Sequence, residues 1–364
     1  YMINLIRNIE EYNLSHKKCF CAKVVSNENI ERNECNVTQD LQFVTITTNF
    51  GTIKVKNIIG QAFEAGEVII INTPNNTVDR FYRPSASANS ILLTEKCDQR
   101  CIMCSQPPKN IDYDYFDIYE NALLLTPKNT NIGITGGEPT LHKENLFKFM
   151  IKIIEQRPDI TFHVLSNGQH IKESDINNLR KINEHVLWGI PLYSCFADIH
   201  DKIVVKPKAF NKLMKNLNYF YTSASRLELR TVILKQNIND LYNLSELIVT
   251  QFPWIEIWAI MQLEQTGYAT QHWDEIFYDS SENFNQLTKS LNLMNASNVN
   301  TALYNFPLCT VPKIHRKYAL STISDWKNKY IAQCSDCTKK DTCGGFFEWY
   351  NEKSGGFKNI NPIR

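Results

Sequence analysis

Three cysteines within eight residues, Cys97, Cys101 and Cys104, constrain this chain more than any other feature. Their spacing is C-x3-C-x2-C. Thiolates are soft ligands that select iron–sulfur clusters, zinc or copper. Four sulfurs would close a [4Fe–4S] cluster, whereas three leave one iron open to a ligand that is not protein. An open iron is a place for chemistry. Two plainer readings compete. Positions i, i+4 and i+7 also mark one face of a helix with buried thiols, and structural zinc uses the same residues. Asp98, Gln99 and Arg100 are poor company for a buried helix start.

The rest of the chain is consistent with a metal-binding protein of a reducing compartment. Eleven cysteines is an odd number, and they cluster, which argues for ligation over a disulfide framework. The net charge of +1 gives no field for nucleic acid or an anionic membrane. No apolar run approaches a membrane span, and Tyr1-Met2-Ile3-Asn4 lacks the layout of a signal peptide. A cytoplasmic location is therefore expected.

From Ser90 onward strand and helix patterns alternate. Ile91–Leu93, Asn131–Thr135, Ile160–Leu165, Val186–Ile190, Leu227–Ile233 and Ile255–Ile260 read as six strands. Apolar residues at helical spacing lie between them, as in Leu146, Phe147, Phe149, Met150, Ile153 and Ile154. This predicts an α/β fold, a partial (β/α)6 TIM-like barrel, with its site at the C-terminal strand ends. After Glu264 the rhythm fades.

Residues 1–88 read as a small β-rich domain, with a hairpin of Phe43–Thr47 and Thr52–Lys56 and a further strand at Glu67–Ile71. Arg83–Ser87 reads as a linker. The domains expected are 1–88, a β-rich unit for peptide recognition; 89–270, the barrel; and 271–364, a cysteine-rich extension. The first would grip a peptide by adding it as an edge strand. Cys19, Cys21 and Cys35 are read as spare buried thiols, with a third metal site as the alternative.

Strand Asn131–Thr135 runs into Gly136-Gly137-Glu138-Pro139-Thr140. Paired glycines allow close approach of backbone, and Glu138 can accept from an ammonium. Ser166 and Asn167 end the third strand, with an Asx-type turn as the plainer reading. Ser194 and Cys195 follow the fourth. Cys195 could donate a hydrogen atom to a radical, although a small buried thiol is the plainer reading. Arg230, inside the fifth strand, needs an anion or a structural carboxylate beside it. His200-Asp201 reads as a surface pair, with a proton relay as the alternative. Cys309, Cys334, Cys337 and Cys343 supply four more sulfurs, enough for a closed cluster or for zinc.

The cysteine spacing and the Gly136-Gly137-Glu138-Pro139 motif resemble those of the radical S-adenosylmethionine (SAM) enzymes. The resemblance implies that Cys97, Cys101 and Cys104 hold a [4Fe–4S] cluster with an open iron that SAM chelates. It implies reductive cleavage of SAM to a 5′-deoxyadenosyl radical. Gly136, Gly137, Glu138, Pro139, Ser166, Asn167, Ser194 and Arg230 become candidate SAM contacts. The C-terminal cysteines would carry an auxiliary [4Fe–4S] cluster, with zinc the alternative. Wording around the motifs, including Met103-Cys104-Ser105-Gln106-Pro107-Pro108 and Cys343-Gly344-Gly345-Phe346-Phe347, is similar to the HxsC group of His-Xaa-Ser maturases. That similarity implies a ribosomally made peptide substrate, a second radical SAM maturase (HxsB-like) as partner, and an electron donor such as flavodoxin or ferredoxin. Crosslinking after hydrogen abstraction is the expected modification. The alternatives are a radical SAM enzyme acting on a small molecule or RNA, and a non-catalytic Fe–S or zinc scaffold.

Overall fold

A computed structural model describes residues 6–14, 19–26, 29–58, 62–112, 115–351 and 356–364. The segment Tyr1–Asn4 lies outside the described residues. The chain divides into two compact units. One comprises Tyr1–Leu93, Tyr113–Ile134 and Glu144–Phe162; the other comprises Thr94–Asp112, Thr135–Lys143 and His163–Arg364.

In the first unit, β1 (Ile6–Leu14), β2 (Cys19–Val25), β3 (Glu34–Gln39), β4 (Phe43–Thr48), β5 (Gly51–Lys56), β6 (Val68–Asn72) and β7 (Thr77–Tyr82) close a barrel in the order β1-β5-β4-β3-β2-β6-β7. Alternation puts Ala22, Val24, Ile46, Ile53, Ile69, Ile71 and Val78 inside. Glu67, expected as a strand residue, is instead a fully buried carboxylate bonded by Arg80. Closure leaves no long free edge, so the expected edge-strand grip on a peptide does not fit this barrel. Cys35 points into the core, while Cys19 and Cys21 face outward on β2. The three thiols therefore do not converge on a third metal site. Arg83 and Asn89 close the following turn with reciprocal hydrogen bonds of 2.9 and 3.1 Å, so this segment is a pinned turn instead of a loose linker.

A seven-stranded α/β sheet follows. Its strands are β8 (Asn89–Leu92), β9 (Asn131–Thr135), β10 (Thr161–Leu165), β11 (Val186–Pro191), β12 (Arg226–Val232), β13 (Ile257–Met261) and β14 (Thr301–Tyr304), in the order β14-β13-β12-β11-β10-β9-β8. β11 to β14 pair in parallel. Helices α1 (Phe116–Leu124), α2 (Lys143–Gln156), α3 (Ile176–Ile182), α4 (Ala197–Val204), α5 (Ala209–Thr222) and α6 (Leu241–Gln251) connect them. Leu146, Phe147, Phe149, Met150 and Ile153 form the buried stripe of α2, as their spacing demands. The rhythm does not end at Glu264. After the short α7 (Tyr268–Gln271) and α8 (Trp273–Ile276), α9 (Asn285–Ala296) leads into β14, which pairs with β13. The remaining chain is mostly 3-10 turns and a two-residue pair, β15 (Asn328–Lys329) with β16 (Phe346–Phe347).

Candidate active site

The site lies in the second unit, at the C-terminal ends of the parallel strands. Thr94 bridges Asp112, and the backbone of Glu95 bonds to Ile111 and Lys109, so the chain from 94 to 112 is a closed loop. Inside it, Gln99 N donates to Cys97 Sγ at 3.4 Å, and the Cys104 thiol donates to Gln106 O at 3.0 Å. The loop is held from outside as well. Arg100 N and Ile102 N donate to Val204 O and Ile203 O, at the end of α4. Tyr268 N donates to Cys104 O at 2.9 Å. Gly267, at φ +59°, makes that approach feasible, since a Cβ there would stand 2.3 Å from Cys104 O.

Gly136 and Gly137 perform the same service on the other side. Gly137 N donates to Thr94 O at 2.7 Å and Glu138 N to Lys96 O at 2.8 Å. A Cβ on Gly137 would lie 2.0 Å from Lys96 O, and one on Gly136 2.4 Å from Thr94 O. The glycines thus first admit the cysteine loop itself, which is a different reason from the ligand approach expected of them.

Glu138 is almost fully buried and accepts from Thr140 N at 2.9 Å, from the Thr140 hydroxyl, from Ser166 Oγ at 2.7 Å and from Asn167 N at 2.6 Å. Burial raises its pKa against the pull of these donors. It ties the end of β9 to the end of β10. Asn167 Oδ1 accepts from Gln169 N at 2.9 Å, the Asx-type turn, and Asn167 Nδ2 donates to Asp98 at 2.8 Å. Asp98 also meets Lys206 and His170. Burial acts to raise the Asp98 carboxyl, but the bonds from His170, Lys206 and Asn167 outweigh it and hold the group well below the usual carboxylate range. Asp98 therefore stays ionised among the cysteines while facing away from them.

Cys97, Cys101, Cys104, Gly136, Gly137, Glu138, Ser166, Asn167 and Arg230 line one cavity of about 280 Å3, with Tyr193 and Met261. Pro139 and Ser194 are not among its lining residues. The Ser194 hydroxyl accepts from Phe196 N at 3.0 Å. Arg230 has the structural carboxylate: Glu228, two residues before it on β12. Its Nη2 also reaches Met261 Sδ at 3.2 Å. His200 is not a surface residue. It is buried beneath Tyr193, and burial pushes its imidazole down to about 4, so it is neutral. Asp201 is no relay partner, because it accepts from Lys208 N and Phe210 N at the start of α5. Cys195 is partly buried beyond the cavity lining.

The donor set fits a cluster with an open iron. Burial pushes the Cys97 thiol up to about 12 and Cys101 further, and all three loop thiols line the same cavity. Among the described residues no three Cys, His, Asp or Glu side chains converge as a single metal ion requires. A cubane spreads its irons, so its ligands need not meet at one point. Of the C-terminal thiols, Cys309 and Cys334 pack on one cluster of Ile331, Phe346 and Tyr350, and burial pushes Cys309 up to about 12. Leu308 N and Gly345 N both donate to Cys343 Sγ at 3.4 Å.

The family model of the radical SAM superfamily matches residues 91–248. The match makes that stretch similar to the radical SAM superfamily. The stretch runs from β8 into α6 and contains every lining residue of the cavity but Met261. A GTP 3′,8-cyclase of Nautilia profundicola is 27% identical over 175 residues, 45% of this chain and 52% of that protein. One of Clostridium perfringens, strain SM101, is 28% identical over 186 residues, 47% of this chain and 55% of that protein. The chain spans about half the length of these curated relatives. Among solved structures, Streptococcus suis SuiB bound to S-adenosylmethionine has a TM-score of 0.48 and 19% identity, covering 59% of this chain and 49% of that one. Native anSMEcpe with bound AdoMet has a TM-score of 0.47 and 13% identity, covering 59% and 63%.

Proposed function

We propose that this protein is a radical SAM enzyme that modifies a ribosomally made peptide of the His-Xaa-Ser type. One observation carries the first half: the three loop thiols and the Gly136-Gly137-Glu138 turn line a single cavity. Cys97, Cys101 and Cys104 would hold a [4Fe–4S] cluster. Bound there, it would supply the electron that splits SAM to methionine and a 5′-deoxyadenosyl radical. The protein's own part is placement. Asp98, Glu138 and Asn167 hold the loop and two strand ends in register. Arg230 offers its guanidinium to the SAM carboxylate from a strand that already orients it. Tyr193, Met261 and Leu165 wall the cavity against water. The reductant is an external one-electron donor of the flavodoxin or ferredoxin kind. The C-terminal cysteines hold an auxiliary cluster.

The peptide half rests on the motif wording similar to the HxsC group, with hydrogen abstraction and crosslinking as its chemistry and a second maturase as partner. The names of the curated relatives favour a second reading, a nucleoside triphosphate. The cavity supports it poorly: among its described lining residues Arg230 is the one Lys or Arg, and the SAM carboxylate would already take it. A triphosphate needs more cationic donors.

The test uses anaerobically reconstituted protein with SAM and dithionite. 5′-Deoxyadenosine is expected, and its absence would overturn the radical reading. With SAM turning over, a mass change of a His-Xaa-Ser peptide supports the maturase. Unchanged peptide together with consumption of GTP would replace it with the second reading.

A further inference from the structure

The first unit contains a second cavity, of about 220 Å3, between the barrel's outer face and α1. Its floor lies across three strands. Register places Ile70 beside Asp79 and, in the next row, Cys19, Asn72 and Thr77. The walls are apolar: Ile70, Leu92 and Ile118, with the rings of Tyr115 and Tyr119.

The polar neighbours of Asp79 are occupied elsewhere. The Cys21 thiol donates to Ile118 O at 3.3 Å, Asn75 Nδ2 donates to Tyr115 Oη at 3.1 Å, and Tyr119 Oη donates to Leu92 O at 3.2 Å. No described residue donates to the Asp79 carboxylate or forms an ion pair with it. Asp79 is half-buried, and burial pushes its carboxyl up to about 7. A carboxylate in an apolar pocket is costly unless a cation meets it. A hard metal ion would want about six oxygens, and this pocket offers one carboxylate. An alkyl stem would pack on Ile70, Leu92 and Ile118, beside the rings of Tyr115 and Tyr119.

We propose that this cavity binds an organic monocation on a flexible apolar stem, a primary ammonium or a guanidinium, with Asp79 as its counter-ion. The assignment does not depend on the radical SAM reading. The full-length protein is titrated calorimetrically with n-butylammonium, n-butylguanidinium and the neutral 1-pentanol. The cations are expected to bind saturably and the alcohol about tenfold more weakly. Asp79→Asn, which keeps shape, is expected to lose about tenfold in cation affinity with an unchanged circular dichroism spectrum. Cys19→Phe, which narrows the cavity and spares the carboxylate, is expected to weaken the cation as well. Equal binding of 1-pentanol, or cation affinity retained in Asp79→Asn, would overturn the proposal. Nα-acetyl-lysine N-methylamide separates the sources. Binding like n-butylammonium supports a peptide side chain as the cation, and exclusion of the amide while the amine binds supports a free amine.

Discussion

Asn167 Nδ2 and Asp98 Oδ1 stand 2.8 Å apart, joining the end of β10 to the middle of the cysteine loop. Asp98 is also the partner of Lys206 and His170, so one carboxylate fixes three segments. Asp98→Ala is expected to cost about 1–3 kcal/mol in denaturant unfolding, because it strands the Lys206 ammonium and removes the partner of Asn167 and His170. Iron bound per chain after reconstitution should fall in the same variant. Full iron content with unchanged stability would show that the loop is held by its backbone bonds alone.

His200 gives the fold a dependence on pH. Its folded pKa of about 4 lies below the ordinary 6.5. Between those values the unfolded chain binds a proton that the folded chain refuses, so stability rises with pH through this window. The full effect is roughly 3 kcal/mol. Unfolding midpoints of the wild type and His200→Phe, compared at pH 4.5 and 7, check it. The variant should lose the slope, and parallel pH profiles would contradict it.

Gly137→Ala should fail for a steric reason. The added methyl would lie 2.0 Å from the Lys96 carbonyl, so either the loop or β9 must move. We expect a loss of more than about 2 kcal/mol and loss of iron from the loop cysteines. Alanine at Gly344, where the Cβ would stand 3.3 Å from the Ser321 Cα and needs only a small shift, is expected to cost less than Gly137→Ala.

The C-terminal thiols should load independently of the loop. Cys309→Ser is expected to lower iron by roughly half while 5′-deoxyadenosine formation persists. A variant lacking Cys97, Cys101 and Cys104 should show the reverse: iron retained at the C-terminus and no SAM cleavage. Complete loss of iron in the first variant would mean that the two sets are interdependent.

Much of the site was legible because it is local. Cys97, Cys101 and Cys104 are neighbours in the chain, and the glycines end a strand whose limits, Asn131–Thr135, coincide with the expectation. What the sequence hid is long-range. Asp98 meets Asn167 and Lys206 across 69 and 108 residues, and no short pattern announces such a bond. Ser194 and Asn167 look like ligands in a sequence because turn residues and ligand residues share hydroxyls and amides. In the fold, β4 and β5 were visible from their alternation and β6 from its apolar run. β1 was hidden by Asn8, Glu10, Glu11 and Asn13 on a strand with few apolar residues. β14 is only four residues, Thr301–Tyr304, and draws its stability from β13.

The bonds from Gly137 and Glu138 to the Thr94 and Lys96 carbonyls carry a consequence for biogenesis. The sulfurs leave the ribosome before the segment that shapes them. Until then the loop has its Thr94–Asp112 closure but lacks the two bonds that seat it on the β9 turn. A cluster held by these cysteines would find its final cage only once β9 is made.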